Sequence, residues 1–240
     1  MADTVIPSVY TIADTVLTMP VRIRKAEQHN AMFAVDADAA QRLIDHSGLR
    51  VYRPFPGRAI ATLILTHFID GDLGPYYEYS TCVMVRPPGA GAPALQSAFV
   101  AHMFVDQAFT LEAGRTIWGF PKVMADFTIR GGRQFGFDAS IDGQFVLGME
   151  FGPGLAVPSA LTPRSQELCA YSCLDGLTRE SPYEVSFEGV RYRLGGARVR
   201  LGEHPYAREL ASLGLPRRAL VSSAAGNVEM SFGDAEEVSP

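Results

Sequence analysis

A lysine at position 122 breaks the habit of this chain. Of its 21 basic residues only Lys25 and Lys122 are lysine, and the rest are arginine. Lys122 follows Gly114-Arg115-Thr116-Ile117-Trp118-Gly119-Phe120-Pro121 and precedes Val123-Met124, so its neighbours include the single tryptophan. If Trp118, Phe120, Val123 and Met124 pack around the ammonium, lost hydration lowers its pKa and leaves a neutral, nucleophilic amine. Arginine cannot take that part, because guanidinium stays protonated at any working pH. Pro121 fixes its own φ and pushes Phe120 towards extended backbone, which limits how freely the amine can be re-aimed. The plainer alternative is a lysine at the end of a short apolar segment, its stem buried and its head in water.

The run Gly114-Arg115, four residues, then Phe120-Pro121-Lys122 resembles the active-site segment of the acetoacetate decarboxylase family. The likeness continues through Asp70-Gly71-Asp72-Leu73-Gly74 to Glu78 upstream, and through Leu215-Pro216 to Val221-Ser222-Ser223 downstream, covering most of the chain loosely. It implies that Lys122 forms a Schiff base with a small β-keto acid, a lysine chemistry for which that family is itself a standard example. It further implies that Glu78 moves protons and that an arginine in the first extended segment binds the substrate carboxylate. Arg24 is the candidate there, with Arg22 and Lys25 as rivals. Arg115, Trp118, Phe120, Leu63 and Met124 are the remaining expected contacts to substrate, and Arg115 could instead brace the segment through backbone carbonyls.

Two positions depart from the family pattern. Val123 stands where decarboxylating members carry a second lysine, and Leu63 stands near the earlier of two family glutamates. Any activation of Lys122 must then come chiefly from burial. The resemblance implies a metal-independent lyase with no cofactor, a cone-like β-barrel of mixed sheets, and a symmetric homo-oligomer. Three activities fit these residues: decarboxylation of an acetoacetate-like acid, an aldol-dehydration or cyclisation run through the same imine, or a barrel that binds a small acid without chemistry.

Other constellations carry less. No G-x-S-x-G elbow, P-loop or dinucleotide fingerprint is present. Cys169 and Cys173 could be ligands one turn apart on a helix, but no His or third Cys lies near, and a closed site needs four ligands. His67, His102 and Asp106 are better read as ordinary core or surface residues than as a metal set. Three cysteines, an odd number in a chain of this size, suit reduced thiols.

The formal net charge of -5 argues against a nucleic-acid surface, which needs a basic stripe. The first twenty residues do not read as a secretory signal, and no apolar stretch approaches membrane-spanning length, so a cytoplasmic location is the expectation. Nothing suggests a second domain within 1–240.

The elements that must position the site read mostly as strands. Alternation predicts a half-exposed strand over 21–25, with Arg22 and Arg24 on one face and Val21, Ile23 and Lys25 on the other. Asp36 is a helix cap for 37–46. Residues 59–69 and 77–85 form a long hairpin about the turn 70–75, and 98–105 returns as a buried strand. A short helix over 105–113 ends at Gly114. Strands follow at 127–130, 134–141 and 144–151, with Gly131-Gly132 and Asp142-Gly143 as turns. An irregular stretch, 153–164, includes a loop from Thr162-Pro163 that could cover a cavity. Strands at 183–187, 190–194 and 197–201, a helix over 203–213 and a last strand at 228–232 complete the chain. The class is α+β and mostly antiparallel, a barrel or folded pair of sheets with a few peripheral helices.

Overall fold

The computed structural model describes residues 7–88, 94–132, 134–162 and 165–238, so part of the connection between the strands expected at 77–85 and 98–105, part of the loop expected from Thr162-Pro163, and residue 133 beside the Gly131-Gly132 turn lie outside the described residues. Two short strands, β1 (Val9–Ile12) and β2 (Thr15–Thr18), pair as a hairpin and lead into β3 (Val21–Asp36). β3 is far longer than the alternation over 21–25 foretold, because residues 29–35 are buried or half-buried on both faces and so lose the polar-apolar rhythm. Asp36 ends it as expected, its carboxylate accepting from the N–H groups of Asp38 and Ala39 to cap α1 (Ala37–Ile44).

After β4 (Arg50–Val51), the long hairpin of β5 (Arg58–Gly71) and β6 (Tyr76–Arg86) lies where the sequence placed it, followed by β7 (Ser97–Val105). The next helix differs from expectation. α2 (Ala108–Trp118) runs through Gly114 and stops at Gly119, whose φ of 63° is the left-handed cap conformation. β8 (Lys122–Met124) follows. β9 (Asp126–Arg130), β10 (Phe135–Ile141) and β11 (Gln144–Phe151) form the expected meander, Asp142 and Gly143 both adopting positive φ at the hairpin turn. Then come β12 (Leu155–Ala156), β13 (Gln166–Leu174), β14 (Leu177–Glu188), β15 (Arg191–Leu194), β16 (Ala197–Leu201), α3 (Pro205–Ser212), β17 (Val221–Phe232) and β18 (Glu236–Glu237). Cys169 and Cys173 sit on strand β13 instead of a helix, and no cluster of metal-ligating side chains occurs among the described residues. Nor is any described helix long and apolar enough to cross a membrane.

Seven strands close into a barrel in the order β3-β5-β6-β7-β13-β14-β17 and back to β3. Every pairing is antiparallel except β7 with β13. Closure leaves these strands few free edges. The interior holds Val21, Ile23, Ala26, Phe68, Tyr76, Val100, Met103, Val228 and Met230, joined at one end by Ala113, Ile117 and Trp118 of α2 and by Ile12 and Leu17 of the first hairpin. The alternate residues, including Phe33, Leu63, Leu65, Tyr79, Phe99 and Phe104, face outward. They form a second core with Phe137, Leu147 and Met149 of the four-stranded sheet β16-β11-β10-β9, and with α1 and α3. Strands β5, β6, β7 and β13 and the second half of β3 thus have two buried faces, whereas β14 and β17 add nothing to the outer core. A single-residue shift in register exchanges one core for the other.

Candidate active site

Lys122 reaches the barrel wall through a gap in its pairing. On the edge of β7 opposite β6, β13 pairs only with Ser97–Phe99, and β8 takes the remainder, setting Lys122 beside Met103. A register shift between β6 and β7 at Thr81/Cys82 makes room for one extra residue in β7. That shift lets both Val100 and Met103 face inward while His102 and Phe104 face out. Lys122 therefore points into the protein at 3% exposure, so the alternative of a lysine head reaching water does not describe it.

Its ammonium is held on three sides. Nζ lies 2.8 Å from Glu78 Oε2 and donates to Thr110 Oγ1 at 2.9 Å. The Tyr76 ring stands with its centroid 5.3 Å away, a cation-π distance. Burial first, and the Glu78 charge second, hold the Tyr76 hydroxyl well above its ordinary range, so it stays protonated at neutral pH. On the fourth side the stem crosses α2 at Gly114. A β-carbon built there would lie 2.6 Å from Lys122 Cδ, 3.1 Å from Nζ and closer still to Cε. Thr110 and Gly114 are four residues apart and so share a face of α2, one contacting the amine and the other making room for its stem.

Beside this pair is a cavity of about 210 Å³ inside the barrel. Glu78, Ser80, Cys82 and Met84 line it from β6, and Thr62, Ile64, Thr66 and Phe68 from β5, each set at the two-residue period of a strand. Phe120 and Met103 close the side nearest Lys122, and Leu95 and Gln96 also lie on its wall. Among its described lining residues Glu78 alone carries a formal charge at neutral pH, since burial pushes the Cys82 thiol up to about 12 and raises Tyr183 as well.

Of the expected site residues, the structure brings Lys122, Glu78 and Phe120 together and separates the others. Trp118 is buried one layer back, stacked on Phe120 and edge-on to Phe232, with Nε1 donating to the Gly233 carbonyl, so it supports the wall without lining it. Arg24 lies outside the barrel, bound by Asp70 at 2.7 Å and Asp72 at 2.6 Å. The two rivals fail as well: Arg22 and Lys25 are exposed, and a bulge against β5 turns Lys25 away from the buried face of Val21 and Ile23. Arg115 is exposed on α2, its charge felt by Tyr206, and Met124 is 44% exposed at the end of β8. Leu63 faces the outer core, while its neighbours Thr62 and Ile64 face the cavity. The sequence reading missed Thr110, Tyr76 and the cradle at Gly114. Carrying the helix past Gly114 instead of stopping there would have placed Thr110 and Gly114 on one face.

A closed, mostly antiparallel barrel with a buried amine-carboxylate pair at an interior cavity is the class that fold and site define. The sequence matches the family model "Acetoacetate decarboxylase (ADC)" over residues 10–235, and the chain belongs to that family. No curated protein matches it significantly. Among solved structures it is similar to an acetoacetate decarboxylase from Legionella pneumophila subsp. pneumophila str. Philadelphia 1, with a TM-score of 0.70, 16% identity, and 99% of this chain and 93% of that one covered. It is also similar to the enduracididine biosynthesis enzyme MppR complexed with pyruvate, with a TM-score of 0.66, 18% identity and coverages of 93% and 92%. An acetoacetate decarboxylase-like enzyme from Sphingomonas wittichii RW1 gives a TM-score of 0.61, 14% identity and coverages of 92% and 94%.

Proposed function

We propose that this protein is a Schiff-base-forming lyase that decarboxylates a small β-keto acid through Lys122. The observation that carries the reading is the Lys122-Glu78 pair, 2.8 Å apart, with the carboxylate lining an otherwise uncharged cavity. Glu78 takes a proton from the ammonium, and the freed Nζ adds to the ketone carbon. The carbinolamine hydroxyl leaves as water with a proton returned by Glu78, giving a protonated imine. The bond to the substrate carboxyl group then breaks, its electron pair passes into the imine to form an enamine, and carbon dioxide departs. Protonation of the enamine carbon and hydrolysis release the ketone and restore the amine.

The cavity favours the bond-breaking step electrostatically. Apart from the imine cation formed on Lys122, which is neutralised as the bond breaks, the described lining includes no cation, and the nearest fixed anion is Glu78, so a substrate carboxylate there is poorly compensated. Departure as neutral carbon dioxide removes that penalty. A volume of about 210 Å³ lies below the roughly 300–1,000 Å³ of sites that take drug-sized ligands, which suits a small acid.

A second reading keeps the imine and uses Glu78 to deprotonate the α-carbon for aldol-dehydration or cyclisation. It is supported by the same amine-carboxylate pair and by the likeness to MppR, one structure of which holds a condensation product of pyruvate and imidazole 4-carboxaldehyde. Borohydride reduction in the presence of acetoacetate or pyruvate, followed by intact mass, tests both imine readings. A covalent adduct in the native protein that is missing from Lys122→Ala is the expected result. Absence of any adduct would leave a barrel that binds without chemistry. Carbon dioxide release from acetoacetate above the Lys122→Ala background separates decarboxylation from condensation.

A further inference from the structure

Beyond the carbon skeleton that reacts, the cavity defines what else the substrate carries. We infer that the substrate is a monoacid whose far end is an uncharged apolar chain longer than the methyl group of acetoacetate, and that dicarboxylates and cationic keto acids are rejected. This rests on the Schiff-base reading for which end reacts, and on the cavity itself for the rest.

Three observations carry it. First, away from Glu78 the polar groups on the wall are neutral: Gln28, Thr62, Thr66, Ser80, Gln96 and Tyr183. Gln28 and Thr66 already satisfy each other, Nε2 donating to Oγ1 at 3.2 Å. The arginine expected to meet a carboxylate, Arg24, is held outside by two aspartates. A second carboxylate would be buried without a partner, and a cationic tail would meet no carboxylate beyond Glu78. Second, five flexible or polarisable sulfur side chains, Cys82, Met84, Met103, Cys169 and Met230, stand on the wall, a surface that moulds to aliphatic chains of varied shape. Third, the cavity is larger than a four-carbon acid requires. A dry apolar cavity of about 150 Å³ holds benzene, and about 30 Å³ is one water's share of the liquid, so 210 Å³ leaves space for a few further carbons. Leu95, another lining residue, is 65% exposed, so the cavity wall reaches the surface as an apolar contact.

The decisive comparison is between 3-oxohexanoate and 3-oxohexanedioate, acids of equal chain length that differ by one terminal carboxylate, with acetoacetate as reference. For adduct formation or carbon dioxide release, kcat/KM for 3-oxohexanoate should exceed that for acetoacetate about fifteenfold, since each of its two additional buried methylenes contributes about fourfold. The dicarboxylate should fall at least about a hundredfold below 3-oxohexanoate. Gln96→Arg, which places a guanidinium on the wall, should narrow that gap. Equal turnover of the two six-carbon acids, or acetoacetate as the best of the three, would overturn the inference. If no keto acid forms an adduct, the Schiff-base reading has failed, and calorimetry with hexanoate and hexanedioate still decides this one: binding of the monoacid alone upholds it, and equal binding or none defeats it.

Discussion

At 2.8 Å from Lys122 Nζ, the Glu78 carboxylate both holds the amine in place and, in the proposed reaction, carries its proton. Glu78→Gln separates the two tasks, because the amide oxygen can still accept from Nζ but cannot take the proton. The variant should keep its fold and lose about 10²–10⁴-fold in the rate of adduct formation, the usual range for a general acid-base group. Single-turnover borohydride trapping measures this, and a rate within threefold of native would show that another group moves the proton. Lys122 was legible in the sequence as a lysine among arginines, whereas Glu78 was legible only through the family resemblance, as the acid that follows the glycine-rich turn. Arg24 misled because the same turn supplies Asp70 and Asp72, which claim its guanidinium. Leu63 misled because an alignment loose by one residue, harmless in a loop, selects the wrong face of a strand.

Helix α2 shows how an element serves a single side chain. Glycine inside a helix costs about 1 kcal/mol relative to alanine, yet Gly114 occupies the middle of α2 because the stem of Lys122 fills the space a side chain would need. Gly114→Ala should therefore stabilise the helix while pushing the lysine stem aside. The obstructing atoms belong to a flexible side chain, so the fold should survive with a Tm within a few degrees of native. The displaced amine should lose at least about a hundredfold in adduct formation, the scale of a 1 Å misplacement. A variant as reactive as native would mean that Lys122 has room to spare. The sequence treated Gly114 as a stop because glycine usually ends helices. Its use here, as an absence of side chain, becomes visible only when β8 is laid against α2. Strand β13 went unread for a related reason: Cys169 to Cys173 are buried on both faces, so no alternation marks them.

Over the whole molecule the barrel encloses one core and shares a second with the outer sheet, and the strand count and hairpin connections were enough to foresee a β-rich shell. The two-sided burial of β5, β6, β7 and β13 was not foreseeable, since it depends on which sheet covers the barrel. His29 is one place where the layers meet. It projects from β3 onto Phe135 of β10, stacked at 3.7 Å between ring centroids, with Phe151 of β11 at 5.4 Å. Burial lowers its pKa from 6.5 to about 4, so the imidazole stays neutral in the fold while the unfolded chain takes up a proton below its ordinary pKa. The sign follows: this contribution is complete above pH 6.5 and is lost as pH falls towards 4. Its size is at most about 3 kcal/mol, reduced by solvent at the half-buried ring. His29→Phe keeps an aromatic stack without the titration. Urea unfolding followed by the fluorescence of Trp118 at pH 7 and pH 4.5 should show the native protein losing about 2 kcal/mol more than the variant across that interval. Parallel losses in the two proteins would mean that acid loosens the layers through other groups, and that the His29 stack contributes packing alone.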